Sequence, residues 1–357
     1  MATLLKDLYS KEFIEKLADK LFYTYSNFEK KEFISVIFNS SWNNLELKAR
    51  MRHISQSLND FLPFCYKEQL EILKEVKKDF FGLEAMIFQD FVELFGLDDF
   101  LNSMKALESF TIKSSSEFAI RQFILKYEDE TMAQMKLWAK SKNEDIRRLS
   151  SEGCRPRLPW AIALPNFKKN PKKVFEIIEL LKNDKSKYVQ KSVANNLNDI
   201  SKDNPNLVID FIKNNLGIAK ELDWICKHGS RTLLKNGNQE ILEIFGFEKI
   251  NNIEVINFYC DKSVKIGHDL NFSFELISKE ELGNVRVEYI INYLKLNNKY
   301  SKKIFMISQN SFSSHSKKFI KKQSFKDMTI RKHIQGMHSL SIVVNGENVI
   351  EKSFLVN

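Results

Sequence analysis

The chain has 357 residues, 43% apolar and 28% charged, with only 11 Gly and 6 Pro; this excludes the disordered and fibrous classes and leaves room for two separate cores. No stretch approaches the roughly 18 apolar residues of a membrane span. Four scattered cysteines (Cys65, Cys154, Cys226, Cys260), with no Cys-x-x-Cys pair, exclude a disulfide framework and a structural zinc site, and fit a reducing cytoplasm.

The formal charge of +9 is unevenly placed: the window from Lys299 to Lys332 holds ten Lys and Arg against one acid, Asp327, and the rest of the chain is close to neutral. Clustered positive charge suits a phosphate backbone or an anionic membrane surface, or is a solvated face. With no amphipathic anchor or lipidation motif, nucleic acid is the favoured partner.

The start, Met1-Ala2-Thr3-Leu4-Leu5-Lys6-Asp7, lacks the basic and apolar regions of a secretory signal, and none is expected. Residues 1–250 read as successive helices. Apolar residues recur three and four apart at Phe13, Leu17 and Leu21, then at Leu70, Leu73, Val76 and Phe80. Pro63, Gly82, Gly96, Asn170-Pro171 and Asn204-Pro205 punctuate them. The helices repeat: LWAKSKNEDIRR from Leu137 aligns with LLKNDKSKYVQK from Leu180, and a third copy begins at Ile225. A spacing of about 40 residues is that of two-helix solenoid repeats, whose second helices form a concave wall.

Four features along this region could carry chemistry. Glu117 follows Ser114-Ser115-Ser116 at a helix start, where an early Glu is also a routine N-terminal signal. A helix from near Asp145 should stop at Gly153, with Pro156 confirming the stop. That places Glu152 in the last turn, where the dipole disfavours a carboxylate, and pairing with Arg155 or Arg157 would account for it structurally. The next loop, Arg155-Pro156-Arg157-Leu158-Pro159-Trp160, holds two guanidiniums and an indole on a stiff segment; Trp160 either stacks on a base or cation or plugs a gap between repeats. Asp199 lies on a helix whose core face is Val189, Val193, Leu197 and Ile200, flanked by a strip of short polar residues, Ser192 and Asn195, against which something packs closely.

After Gly246 the period changes to alternation, in Val255–Tyr259, Leu270–Leu276, Val285–Tyr289 and Leu340–Val344, and Asn345-Gly346 marks a hairpin. About seven short strands with no Cys pair or Trp predict an immunoglobulin-like sandwich without the antibody disulfide, with the boundary near Ile250.

The segments SSSEFAIRQFILKY, NEDIRRLSSEGCRPRLPWA, VQKSVANNLNDISKDNP and KHGSRTLLKNG resemble the HEAT-like-repeat DNA alkylation repair glycosylases, and specifically the AlkC branch; SEGxRPRLPW is the most specific block. Gln122 stands where the pattern has Pro. The resemblance implies an all-α solenoid glycosylase domain at residues 1–250 and an immunoglobulin-like, DNA-gripping β-sandwich at 251–357. It implies a monofunctional DNA-3-methyl base glycosylase with no cofactor and no metal, acting as a monomer on double-stranded alkylated DNA in the bacterial cytoplasm, in association with the nucleoid. Glu117, Glu152 and Asp199 would then line the lesion pocket with Trp160 beside them.

A base methylated at N3 is already a cationic leaving group, so the enzyme must supply negative charge for the oxocarbenium ion and an oriented water. That role falls to Glu152, supported by Asp199, with Glu117 facing the lesion and Trp160 giving cation–π attraction. Backbone contacts are expected from Arg121, Arg147, Arg148, Arg155, Arg157 and Arg231, extended by Lys168 and Lys169, with Lys317, Lys318, Lys321 and Lys322 gripping the duplex from the other side. Three carboxylates on one concave wall would be odd for a plain DNA-binding module, since phosphates repel them. The alternative is a non-catalytic solenoid that binds DNA or a protein partner; an RNA module lacks the regular base-reading code. No G-x-x-x-x-G-K-[ST] loop is present, so no nucleotide cofactor is expected.

Overall fold

The computed structural model describes residues 4–250, 252–328 and 332–357. They form two units: one runs up to Val208 and includes Asn214–Gly229, the other comprises Ile209–Lys213 and Ser230–Asn357.

The first unit is helical. Its helices are α1 (Lys11–Thr24), α2 (Lys30–Ile37), α3 (Leu47–Phe61), α4 (Tyr66–Lys77), α5 (Ile87–Phe95), α6 (Phe100–Thr111), α7 (Ile120–Lys126) and α8 (Glu128–Trp138). They continue as α9 (Glu144–Gly153), α10 (Pro165–Lys169), α11 (Lys172–Leu181), α12 (Lys187–Ile200), α13 (Pro205–Asn215), which straddles the two units, and α14 (Lys220–Gly229).

Their starts are set by side-chain caps: Ser10 Oγ accepts from Phe13 N (3.2 Å), Asn143 Oδ1 from Asp145 N (2.8 Å) and Ser186 Oγ from Tyr188 N (3.2 Å). The expected stop at Gly153 is the observed end of α9. The repeat is a two-layer stack: α9, α12 and α14 pack in a row, backed by α8 and α11. Ile146, Val189 and Ile225, the aligned positions, fall on these three helices, and all are buried.

In the second unit two short helices, α15 (Arg231–Lys235) and α16 (Gln239–Ile244), precede eight strands among the described residues. These are β1 (Ile253–Cys260), β2 (Ser263–Val264), β3 (Asp269–Ser278), β4 (Gly283–Leu294), β5 (Tyr300–Phe312), β6 (Ser316–Ser324), β7 (Gly336–Val344) and β8 (Glu347–Val356). They make two sheets, ordered β1-β3-β6 and β2-β8-β7-β4-β5. Leu270, Phe272, Phe274 and Leu276 alternate into the shared core. The Asn345-Gly346 turn joins β7 and β8 with both residues at positive φ (45° and 84°), the two-residue hairpin geometry expected.

The change from helix to strand falls between Ile244 and Ile253, and the compact units divide earlier. The reason is the hairpin turn: a Cβ on Gly346 would stand 2.5 Å from Leu242 Cδ1 and 3.0 Å from Gly237 Cα, so the α15–α16 corner is seated on the turn. Arg231, assigned from sequence to the helical domain, therefore opens a helix of the second unit.

Candidate active site

The C-terminus of α9 is the structural hub. Gly153 is required there: a Cβ would sit 2.6 Å from Ile120 Cγ2 and 2.8 Å from Met135 Cε, so only glycine lets α9 end against α7 and α8. The carbonyls left over at this end are taken by Arg121, which is wholly buried. Its Nη1 donates to Gly153 O (2.9 Å) and Arg155 O (2.8 Å), and its Nε to Ile162 O (2.7 Å). Burial pushes its pKa down to about 10. Arg121 thus shapes the loop, and its guanidinium is inaccessible to a phosphate. Gln122 N donates to Ala119 O (3.3 Å), a bond that a proline there would forfeit.

Around this hub the three carboxylates singled out in the sequence come together, from the turn before α7 (Glu117), from α9 (Glu152) and from α12 (Asp199). Glu152 is 5% exposed and Asp199 2%. Arg155 bridges them, donating from Nη1 to Glu152 Oε1 (2.6 Å) and from Nε to Asp199 Oδ2 (2.8 Å). Burial opposes the Arg155 charge, but Glu152 and Asp199 outweigh it and raise its pKa.

Arg148 makes the second bridge, pairing with Glu117 and reaching Glu152 Oε1 at 3.4 Å, with its guanidinium 4.9 Å over the Tyr188 ring. Ser192 Oγ donates to Glu152 Oε2 (2.7 Å) and Lys202 Nζ to Asp199 Oδ1 (3.1 Å). What packs against the short polar strip of α12 is thus Glu152. Glu117, Arg148, Tyr188 and Asp145 line an open cavity of ≈ 430 Å³.

Trp160 does not plug a gap. It is 64% exposed on a backbone at φ 62°, a conformation that favours glycine. Lys48 Nζ donates to its carbonyl (2.6 Å) and lies 4.5 Å from the ring centroid of Phe118, the residue after Glu117.

The expected backbone contacts divide. Arg147 is held by Asp184 (2.6 and 3.1 Å) and by the Ser141 and Lys142 carbonyls (both 3.0 Å), so it fastens the start of α9 to the next repeat. Arg148 and Arg155 are paired with the carboxylates. Arg157 is partly exposed but forks onto Asp203 (3.0 and 2.6 Å), whose pKa it lowers. Lys169 is exposed and Lys168 half-buried. Lys317, Lys318, Lys321 and Lys322 are all exposed on β6, the edge of the three-stranded sheet, where lysines also discourage edge-to-edge pairing. Lys48, Tyr188 and Lys202 were missed in the sequence; only Lys202, three residues after Asp199, carried a local signal.

A family model described as "DNA alkylation repair enzyme" matches residues 104–237, and one described as "Uncharacterised protein YhaZ, C-terminal Ig-like domain" matches residues 254–357. The chain is similar to "Uncharacterized protein YhaZ" of Bacillus subtilis (strain 168), 42% identical over 345 residues, covering 96% of both chains. It is also similar to a solved structure of the Pseudomonas fluorescens alkylpurine DNA glycosylase AlkC bound to DNA containing an abasic site analog. That match has a TM-score of 0.95 and 32% identity, and covers 99% of this chain and 100% of that one.

Proposed function

The chain belongs to the AlkC branch of the DNA alkylation repair glycosylases that carry a C-terminal immunoglobulin-like domain, and from that premise we propose that it releases cationic N3-methylated bases, 3-methyladenine and 3-methylcytosine, from duplex DNA. The reaction adds water across the N-glycosidic bond, giving the free base and an abasic site, with no lyase step.

One observation carries this reading: three carboxylates from three separate elements meet at the end of α9, two of them buried. Burying like charges together is costly and needs compensation, so the arrangement is unexpected for a scaffold. A cationic base leaves without protonation by a strong acid. The site needs only fixed negative charge near the sugar and a held water, both stronger in a site that excludes solvent. Glu152 Oε1 is saturated by two arginines, while Oε2 carries only Ser192 and keeps a lone pair for a water. Asp199 supports it through Arg155. Glu117, less buried and facing the cavity, meets the positive charge of the lesion. The exposed indole of Trp160 offers a cation–π surface worth ~0.5–2 kcal/mol. The β6 lysines supply a grip on the phosphates that weakens with salt.

The test is release of methylated base from N3-methylated duplex DNA without metal or cofactor, for wild type and Glu152→Gln. The expected loss in the variant is about 10²–10³-fold, with DNA binding retained. A wild type that binds DNA and releases nothing would leave the scaffold reading in its place.

A further inference from the structure

Read as sequence, Arg148 and Arg155 are basic residues beside a DNA groove. In the fold their donors are spent otherwise. Arg148 uses Nη1 on Glu117 and on Ser115 Oγ (2.8 Å), and Nη2 approaches Glu152 Oε1 (3.4 Å). Arg155 spans Glu152 and Asp199 at 2.6 and 2.8 Å. The side chains of Arg148 and Arg155 are 13% and 8% exposed. The result is one alternating chain, Glu117–Arg148–Glu152–Arg155–Asp199, closed by Lys202.

A guanidinium can do this because its donors form a rigid planar fork; an ammonium is a point charge and cannot address two separated carboxylates in fixed directions. Turning Arg155 toward a phosphate would leave the buried Glu152 and Asp199 without the cation between them, and turning Arg148 would do the same to the half-buried Glu117 and Glu152.

We propose that Arg148 and Arg155 are positioning residues that hold Glu117, Glu152 and Asp199 in one fixed register, and that neither is a DNA-phosphate contact. This rests on the glycosylase reading. Both side chains act on the rate through the carboxylates they orient, and DNA affinity comes from other cations.

The test uses the full-length protein with Arg148→Lys, Arg155→Lys, Arg148→Gln and Arg155→Gln. It measures single-turnover base release, and affinity for undamaged duplex against salt. The Lys variants keep the charge but lose the fork. The expected result is a rate loss of about a hundredfold from misplaced carboxylates, with affinity for the undamaged duplex kept. The Gln variants are expected to keep the wild-type salt slope.

A fall in that slope of about 1 in either Gln variant overturns the proposal, because that is the signature of a lost phosphate contact. So does a Lys variant with wild-type rate. If a Gln variant does not fold, shown by its melting curve, the rate and duplex affinity of the matching Lys variant decide. If wild type releases no base, the glycosylase reading falls with its own assay, and the salt slopes still show whether the arginines touch phosphate.

Discussion

Arg121 separates the sequence reading from the structure most sharply, and replacing it with Met tests which holds. The substitution keeps much of the apolar stem and removes the guanidinium. Two buried carbonyls, those of Gly153 and Arg155, and the part-buried one of Ile162 lose their donor, and each unpartnered group costs about 1–3 kcal/mol when buried and less where water can reach it. Against this stands the burial of the charge itself. Burial holds the pKa at about 10 against an ordinary 12.5, which corresponds to about 3 kcal/mol regained when the charge is removed. The difference is a net loss of about 2 kcal/mol, or a fall of roughly 4–8 °C in Tm for a unit of this size. Both pKa values lie far above neutrality, so the effect is constant from pH 6 to 8. Thermal unfolding followed by circular dichroism gives the first number, and salt-dependent binding to undamaged duplex the second. The reasoning is refuted if Arg121→Met melts like wild type while its salt slope falls by about 1, since that is a phosphate contact's behaviour.

Two further outcomes follow from buried charge and from strained backbone. Burial pushes the Asp90 carboxyl up to about 6, against the pull of Arg52 at 2.9 Å. With a folded pKa above the unfolded one, its contribution to stability is fully present below about pH 4 and is lost as pH rises through 6. Asp90→Asn should therefore gain on wild type between pH 5 and 7 by about 1 kcal/mol, and parallel urea-unfolding curves for the two proteins across that range would refute this. Trp160→Gly should raise stability by about 1 kcal/mol, because the backbone stands at φ 62°, while slowing base release by roughly 2–30-fold, the cation–π contribution; a variant that melts lower and cuts at the wild-type rate would show the indole to be structural.

Much of the fold was legible because local chemistry and long-range packing agree there. The caps at Asn143 and Ser186 and the stop at Gly153 are short-range signals that place α9 and α12 within a residue or two. Alternation in Leu270–Leu276 marks a strand with one buried face. The division into units was less legible. Residues 231–244 are helical, and periodicity groups them with the helices before them. What moves them to the second unit is the tight seat of Gly237 against Gly346, a contact between residues far apart in sequence with no local pattern to announce it.

The site shows the same division between residue type and partner. Glu152, where a helix end disfavours a carboxylate, and Asp199, in a strip of small residues, asked for an explanation, and the resemblance of the segments around them is what grouped both with Glu117. The arginines drew a phosphate-binding expectation because a cation in a DNA-binding groove invites a phosphate, and charge in the sequence has no direction. Burial supplies the direction. A guanidinium brought under protein beside carboxylates binds them, because leaving either partner behind strands an uncompensated charge in a poorly solvated place. The cations on β6 and at Lys169 are exposed instead, and even Lys322, which pairs with Asp269 at 3.0 Å, does so in solvent. On the proposed mechanism the two sets have separate tasks. Arginines free to follow the DNA backbone would loosen the negative array that the transition state needs, and a groove that bound DNA only through carboxylate-bound arginines would gain affinity at the expense of rate.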